Sequence, residues 1–230
     1  MLLALACGLA PGTAGAHSAG DAPRRGAGAA PTHLIAYVRS RVPVRGRPFG
    51  RVIERLGPRT PLGSRRALAV VRVRDDRWLG VTDPSLGNHR LGWIDARAAR
   101  LRYGRTRVEL DVDLSSRTIV VRRGNKLLRS MLVGVGRPGS PTPTGYFAVT
   151  DKLSGASDSA DYGCCILALS ATQPNLPAGW AGGNRVAIHG TRNASDFGHA
   201  VSAGCLHARR ADLWYLMRVV ALGTPVIIHA

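Results

Sequence analysis

Lysine is nearly missing from this chain. Of 32 basic residues only Lys126 and Lys152 are lysines, so the positive charge is almost all arginine. Acidic residues are scarce as well, 14 in all, which leaves a formal net charge of +18. The excess is concentrated towards the front: residues 17–104 hold 18 arginines against six acids, and residues 105–230 hold 14 basic against eight acidic residues. Such a surface fits an anionic partner or a merely solvated face. Zinc-finger spacing, an RNA-binding aromatic signature and a basic heptad helix are all lacking, so nucleic acid is not the expected partner. Long hydrophobic runs are lacking too. The apolar stretch in MLLALACGLAPGTAGA (1–16) is too short to cross a bilayer, and no transmembrane span is expected. It ends in Ala14-Gly15-Ala16, a small-x-small cleavage pattern before His17, which reads as the remnant of a signal peptide. The expected location is therefore outside the cytoplasmic membrane, in the periplasm or cell wall. Basic residues do not precede the run, and Cys7 after Ala-Leu-Ala is a poor match to a lipid-anchoring signal.

Cysteine is also sparse. Removal of residues 1–16 leaves Cys164, Cys165 and Cys205, and an odd number in an exported chain implies a free thiol. Adjacent Cys164 and Cys165 could bridge only through a strained eight-membered ring, so no structural disulfide framework is expected. What is present is globular: 45% hydrophobic against 20% charged residues, in a length that suits one large domain or two small ones.

Residues 17–32, rich in Ala, Gly, Pro, Ser and Arg, read as a flexible linker. Between 33 and 104 short apolar runs alternate with turn signals. LIAYV (34–38), LAVVRV (68–73), WLGV (78–81) and LGWI (91–94) are predicted strands, separated by Gly57-Pro58, Asp75-Asp76, Asp83-Pro84 and Gly87-Asn88. That spacing suits a small barrel. Trp78-Leu-Gly-Val, a turn, then Gly92-Trp93-Ile94 resembles the bacterial SH3-like domains found beside cell-wall enzymes, which implies a wall-binding role. A junction is placed at Tyr103-Gly104-Arg105, and residues 105–230 form the second unit. There VELDVDL (108–114), RTIVVRR (117–123) and LLRSMLVGV (127–135) form an antiparallel meander with turns at Ser115-Ser116 and Gly124-Asn125. Residues 151–162 read as a polar loop, and ILALS (166–170), RVAIH (185–189) and PVIIHA (225–230) as strands. One helix is predicted over 208–222, with Leu213, Leu216, Met217 and Val220 on one face, Asp212 in its first turn and Gly223 as its stop.

The chemistry-bearing residues gather in AIHGTRNASDFGHAVSAGCLHA (187–208). His189, His199, Cys205 and His207 are ligand types, but their spacings of 10, 6 and 2 match no known zinc pair spacing. Nucleophilic catalysis fits better. A thiol needs a base within hydrogen-bond reach and a group that fixes that base's tautomer. His189 closes a buried-looking strand, a rigid mount for a base. Ser202-Ala203-Gly204-Cys205 is a turn of small residues that exposes a sulfur and aims backbone N–H groups at a developing oxyanion. A helix N-terminus just after it is expected to favour thiolate. Against this stands the ordinary reading of a lone cysteine as a small buried hydrophobe.

His189-Gly190-Thr191, a gap, then Ser202-x-Gly204-Cys205-Leu206 resembles the signature of the bacterial L,D-transpeptidase catalytic domain. Upstream, Pro141-Thr142-Pro143-Thr144-Gly145-Tyr146-Phe147 is similar to the family's Pro-Thr-Pro-x-Gly-x-Phe segment, and the final Gly-Thr-Pro-Val entering a strand also fits. The likeness covers about residues 107–230. It implies a mainly β fold: a small SH3-like β-barrel followed by a β-sandwich or barrel with one principal C-terminal helix. It implies a cysteine acyltransferase acting on peptidoglycan stem peptides with no metal or organic cofactor. Carried onto this chain, Cys205 is the nucleophile, His189 the general base, and the Gly190 carbonyl the third group. The N–H groups of Ala203, Gly204 and Cys205 form the oxyanion hole beside Ser202, with Tyr146 and Thr191 lining the pocket. Four positions depart from the pattern. Ala203 stands where many members have His, His207 where they have Arg or Asn, and Cys164-Cys165 where Pro or aromatic residues are usual. Without an arginine at 207, bidentate anchoring of a substrate carboxylate is lost.

The expected function is peptidoglycan cross-linking through a Cys205 acyl-enzyme, with anionic wall polymers as a further partner of the basic N-terminal unit. An L,D-carboxypeptidase and a non-catalytic wall-binding protein are the alternatives. A papain-like hydrolase is disfavoured, because here His precedes Cys by 16 positions.

Overall fold

The computed structural model describes residues 30–98, 100–155, 160–180 and 183–230. The expected signal remnant and most of the linker lie outside these residues. The fold is mainly β, and the described residues form two principal sheets and one α-helix. No helix among the described residues is long and apolar enough to cross a membrane.

The N-terminal sheet has seven strands: β1 (His33–Val38), β2 (Val42–Arg45), β3 (Val52–Leu56), β4 (Ala67–Arg74), β5 (Trp78–Val81), β6 (Gly92–Asp95) and β7 (Leu101–Thr106). Their order is β3-β2-β6-β5-β4-β1-β7, antiparallel throughout. The β4–β5 hairpin turns through Asp75 and Asp76 with φ of 53° and 47°, the pairing a tight two-residue turn demands. β2, β3 and β7 carry charge or proline in place of a clean apolar run, and none was predicted. β7 needs Gly104 in particular: a Cβ there would stand 2.8 Å from the Tyr37 ring. This strand runs through the expected junction and ends at Thr106. The core gathers Val38, Val44, Leu68, Leu79, Val81 and Ile94.

The second sheet is built from β8 (Val108–Asp113), β9 (Thr118–Arg123), β10 (Lys126–Leu132), β12 (Gly145–Ser154), β13 (Cys165–Thr172), β14 (Arg185–His189), β16 (Leu206–His207) and β17 (Pro225–His229). Its order is β10-β9-β8-β17-β12-β13-β14-β16. β11 (Val135–Gly136) and β15 (Ala200–Ser202) form a small parallel pair beside it. The expected meander is β8-β9-β10. The expected polar loop at 151–162 is corrected in its first part. Asp151–Ser154 continues β12, and Asp151 is fully buried. The strand keeps this polar residue because charged and hydroxyl partners meet it there. The helix α1 is shorter than expected, Arg210–Val219, and ends before Gly223. Its last carbonyls, Met217 O and Val220 O, accept hydrogen bonds from Lys152 Nζ at 2.6 and 2.7 Å. Gly223 instead takes a φ of 82° where Ile35 of the first sheet leaves no room for a side chain. Leu213 and Leu216 pack on a core with Leu110, Ile119, Phe147 and Leu167.

The two sheets meet through polar contacts. Asn88 mimics a strand partner for β13: its Nδ2 donates to Thr172 O at 2.6 Å and its Oδ1 accepts from Thr172 N at 2.9 Å. Thr60 Oγ1 donates to Asp151, whose other oxygen lies 3.5 Å from Arg185. Ser170 Oγ reaches Thr82 Oγ1 at 3.3 Å. The contacts fall on β12 and β13, and Asp151 in turn pairs with Arg185, the first residue of β14, the strand that carries His189.

Candidate active site

β14 and β16 run parallel with Ile188 opposite Leu206 and His189 opposite His207. Ile188 and Leu206 are fully buried in the core. Strand alternation therefore turns Ala187, His189 and His207 to the other face, and Cys205, just before β16, follows the same sense. That face holds the candidate site. His189 and Cys205 become diagonal neighbours although 16 positions separate them.

His189 is buried, and its Nδ1 lies 2.6 Å from Gly190 O. A carbonyl only accepts, so Nδ1 carries the proton and Nε2 is left as the basic nitrogen. Gly190 is required by packing. Its N–H donates to Tyr162 O at 2.8 Å, and a Cβ there would lie 2.9 Å from that oxygen and 3.0 Å from Gly163 Cα. The Tyr162 ring meets His189 edge-on at 4.8 Å, and the His207 ring lies 4.9 Å away. Desolvation, with the neighbouring His207 adding to it and the Gly190 hydrogen bond opposing it, lowers the His189 pKa to about 4.

Cys205 is half-buried and is the free cysteine among the described residues. Cys164 and Cys165 are bonded to each other, contrary to the expectation from ring strain. They sit where the chain turns through Gly163, at φ 69°, into β13. The Cys205 Sγ lies 3.9 Å from Arg185 O. Burial pushes the thiol above its ordinary pKa, and the Ala187 N–H directed at it works in the opposite sense. This corrects the expectation of a thiolate favoured by a helix N-terminus. The helix begins at Arg210, and β16 intervenes. In the free protein thiol and imidazole are therefore both neutral.

The turn before the cysteine is braced from three sides. Ser202 Oγ donates to Cys205 O at 2.6 Å and accepts from Gly204 N at 3.0 Å. Thr142 Oγ1 donates to Gly204 O at 3.0 Å and accepts from Gly136 N at 2.9 Å. Gln173 Nε2 donates to Pro141 O at 2.8 Å and to Ala203 O at 3.2 Å. Gly204 takes a φ of 118°, and a Cβ on it would collide with Gln173 Nε2 at 2.2 Å. The Pro-Thr-Pro segment thus serves this site through Pro141 and Thr142.

Tyr146 does not join the group. Phe147 points into the core, so alternation along β12 turns Tyr146 to the other face, where it shares a cavity with Asp83, His89 and Arg90 of the segment between β5 and β6. Thr191 is close but engaged, its Oγ1 donating to Asp196 Oδ2 at 2.7 Å. The same oxygen lies 2.7 Å from His207 Nδ1. Burial works to raise the Asp196 carboxyl, but the hydrogen bonds from Thr191 and His207 outweigh it and hold the pKa below the usual value. His199 stays exposed, with its backbone N–H donating to Asp196 O at 3.0 Å. Among the described residues no three His, Cys, Asp or Glu side chains are clustered as for a metal ion.

Sequence reasoning missed Asp196, Gln173, Tyr162 and Arg185. Asp196 carried a signal, as the sole acid between His189 and Cys205. The other three lie in a different segment or act partly through backbone, and no motif marks them.

Known proteins resemble this chain. YkuD of Bacillus subtilis (strain 168) is 27% identical over 118 residues, covering 51% of this chain and 63% of that protein. YkuD of Bacillus licheniformis is 29% identical over 117 residues, covering 51% and 62%. The chain thus spans less than two thirds of the curated relatives it matches. Among solved structures, an L,D-transpeptidase from Mycobacterium smegmatis is 20% identical, with 73% of this chain and 92% of that one covered and a TM-score of 0.44. One from Mycobacterium tuberculosis H37Rv is 20% identical, with 61% and 72% covered and a TM-score of 0.43. The YkuD family of L,D-transpeptidase catalytic domains matches residues 107–228, more than half of the sequence and all of the site above, and the chain belongs to that family.

Proposed function

We propose that the protein cross-links peptidoglycan stems, outside the cytoplasmic membrane, through a thioester on Cys205. As His189 Nε2 takes its proton, Cys205 Sγ attacks the carbonyl of the third residue of a tetrapeptide stem. Both groups start neutral, so proton transfer accompanies attack instead of preceding it. Negative charge moves to the carbonyl oxygen. The Gly204 N–H is already given to Ser202 Oγ, so the oxyanion falls to the N–H groups of Ala203 and Cys205. Collapse breaks the bond to the terminal D-Ala, whose amine leaves with the proton from His189. An amine of a second stem then attacks the thioester, gives its proton to His189, and leaves as the new amide. The thiol is restored when that proton returns to sulfur. His207, oriented by Asp196, stands on the same face and replaces the usual Arg or Asn as the polar contact for substrate.

The observation that carries this reading is the tautomer lock, Nδ1 on Gly190 O, on the face that Cys205 shares. The test is product analysis by mass spectrometry. The protein is incubated with a disaccharide-tetrapeptide beside a Cys205→Ala control. Cys205-dependent loss of D-Ala with dimer formation is expected. Loss of D-Ala without dimer, when acceptor stems are abundant, refutes cross-linking and leaves a carboxypeptidase. No Cys205-dependent change with either a diaminopimelate or a lysine stem refutes catalysis on stems.

A further inference from the structure

The proposed reaction uses no side chain of the N-terminal sheet, yet residues 30–106 carry seventeen arginines against five acids. Part of this charge converges on one place. A cleft of about 850 Å3 is lined by Arg39, Arg59, Arg65, Arg66 and Arg102, and no aspartate or glutamate lines it. Arg66 is buried and paired with Asp83, and its Nε and Nη2 donate to Gly57 O at 2.9 Å and Arg59 O at 3.0 Å. The other four are exposed, and no ion pair among the described residues neutralises any of them.

The backbone fixes the positions from which these side chains extend. Arg59 and Arg65 face each other across a bridge at the base of the loop between β3 and β4. Within that loop Thr60 N–H donates to Ser64 O at 2.9 Å, and Arg59 Nη1 donates to Gly63 O at 2.7 Å. Arg102 stands opposite Tyr37 in the β1–β7 ladder, and the Arg39 N–H binds Arg100 O at 2.8 Å. Like charges set opposite each other on neighbouring strands are unfavourable. Four arginines lining one cleft without a carboxylate repel one another, and an anion between them relieves that repulsion. Their planar forks match phosphate oxygens in a bidentate way. Tyr37 and Tyr103 line the same cleft and offer amphipathic ring surface to the carbon skeleton between charges.

We infer that this cleft binds a polymer with repeated phosphodiester groups on a sugar or polyol backbone. The choice of such a wall polymer over nucleic acid rests on the function proposed above; the guanidinium geometry itself asks only for closely spaced phosphodiesters. One wall of the cleft, Gly57 to Arg59, leads directly into Thr60 and its bond to Asp151, so bound polymer lies beside the junction of the two sheets.

The test is fluorescence anisotropy of the full chain with a labelled poly(glycerol phosphate) oligomer, and with a thymidine oligonucleotide of equal charge, over a salt series. The double variant Arg65→Gln/Arg102→Gln is expected to weaken oligomer binding about tenfold or more and to flatten its salt dependence. The control Arg51→Gln/Arg55→Gln removes the same charge from exposed positions outside the cleft and is expected to change binding by less than about twofold. Equal losses in the two pairs mean diffuse attraction and overturn the site. Tighter binding of the oligonucleotide than of the glycerol phosphate oligomer overturns the choice of polymer. Release of D-Ala from a soluble tetrapeptide is expected at the wild-type rate in both variants. If wild-type protein releases none, the catalytic reading fails, and the anisotropy contrast still decides the cleft.

Discussion

Gln173 offers the sharpest test of how the thiol is held. It is buried, and three hydrogen bonds converge on its amide. Two run from Nε2 to Pro141 O and Ala203 O, and Oε1 accepts one from Asn175 N at 2.9 Å. Gln173→Leu keeps the volume and removes all three. Pro141 and Asn175 are exposed enough for water to replace the lost partner, and Ala203 is half-buried. The loss therefore sits near the low end for each group, about 1 kcal/mol, or about 3 kcal/mol together. Burying the leucine returns about 1 kcal/mol, which leaves a net cost of about 2 kcal/mol. Urea unfolding reads that cost. The turn at 202–205 also loses its outer brace, while Thr142 and Ser202 still hold the inner one. Water then reaches the sulfur more freely and the thiol's raised pKa relaxes. Iodoacetamide is expected to alkylate Cys205 in this variant severalfold faster at neutral pH, while D-Ala release falls about tenfold, the rate equivalent of roughly 1.4 kcal/mol in positioning. A stability loss below about 0.5 kcal/mol together with unchanged alkylation refutes the brace.

Four further outcomes are expected. The acid limb of kcat/KM bends near pH 4, because His189 stays neutral down to about that value. The same shift acts on stability. The unfolded imidazole binds its proton at about 6.5, so as pH falls from 6.5 towards 4 the unfolded state gains protons first and stability drops, by up to roughly 3 kcal/mol. Urea midpoints of wild type and His189→Gln across that range check it, the variant showing the smaller drop. Asn88→Ala leaves Thr172 N–H and O without their side-chain partner and costs about 2 kcal/mol; amide exchange at Thr172 reads the loss directly. Asp196→Asn weakens the hold on His207 and Thr191, and a loss of about 1.5 kcal/mol in orientation, or roughly tenfold in kcat/KM, is expected, while the pH dependence of Cys205 alkylation is unchanged.

The elements that could be read from the sequence are those with a clean period. RVAIH, VELDVDL and PVIIHA alternate or run apolar, and they are β14, β8 and β17. β3, VIERL, is largely exposed and charged, so its pairing with β2 comes from tertiary context instead of its own pattern. β12 continues through Asp151 and Lys152, two residues that read as loop and are stabilised by partners far along the chain: Thr60 and Arg185 for one, the end of α1 for the other. The site shows the same division. His189, Gly190 and Cys205 were legible as a motif. Their electrostatics were not, because desolvation depends on what packs over a residue. Tyr146 was misplaced for a simpler reason: a one-position alternation along a strand chooses between the core, the other sheet and the pocket.

The position of β17 bears on how the molecule is made. It lies between β8, its parallel partner, and β12, and Leu110 pairs with Val226, 116 positions away. During synthesis β8, β9 and β10 emerge early as a meander with one long side unpaired. That side stays open until the strand at 225–229 arrives. An unpaired strand edge waiting that long, with Val108, Leu110 and Val112 on one face, is a template for other chains. The second sheet therefore depends on a pairing of high sequence separation, the kind of contact that slows folding. A chain halted shortly before Pro225 is expected to need a chaperone's cover over β8, and it cannot complete the sheet that carries His189.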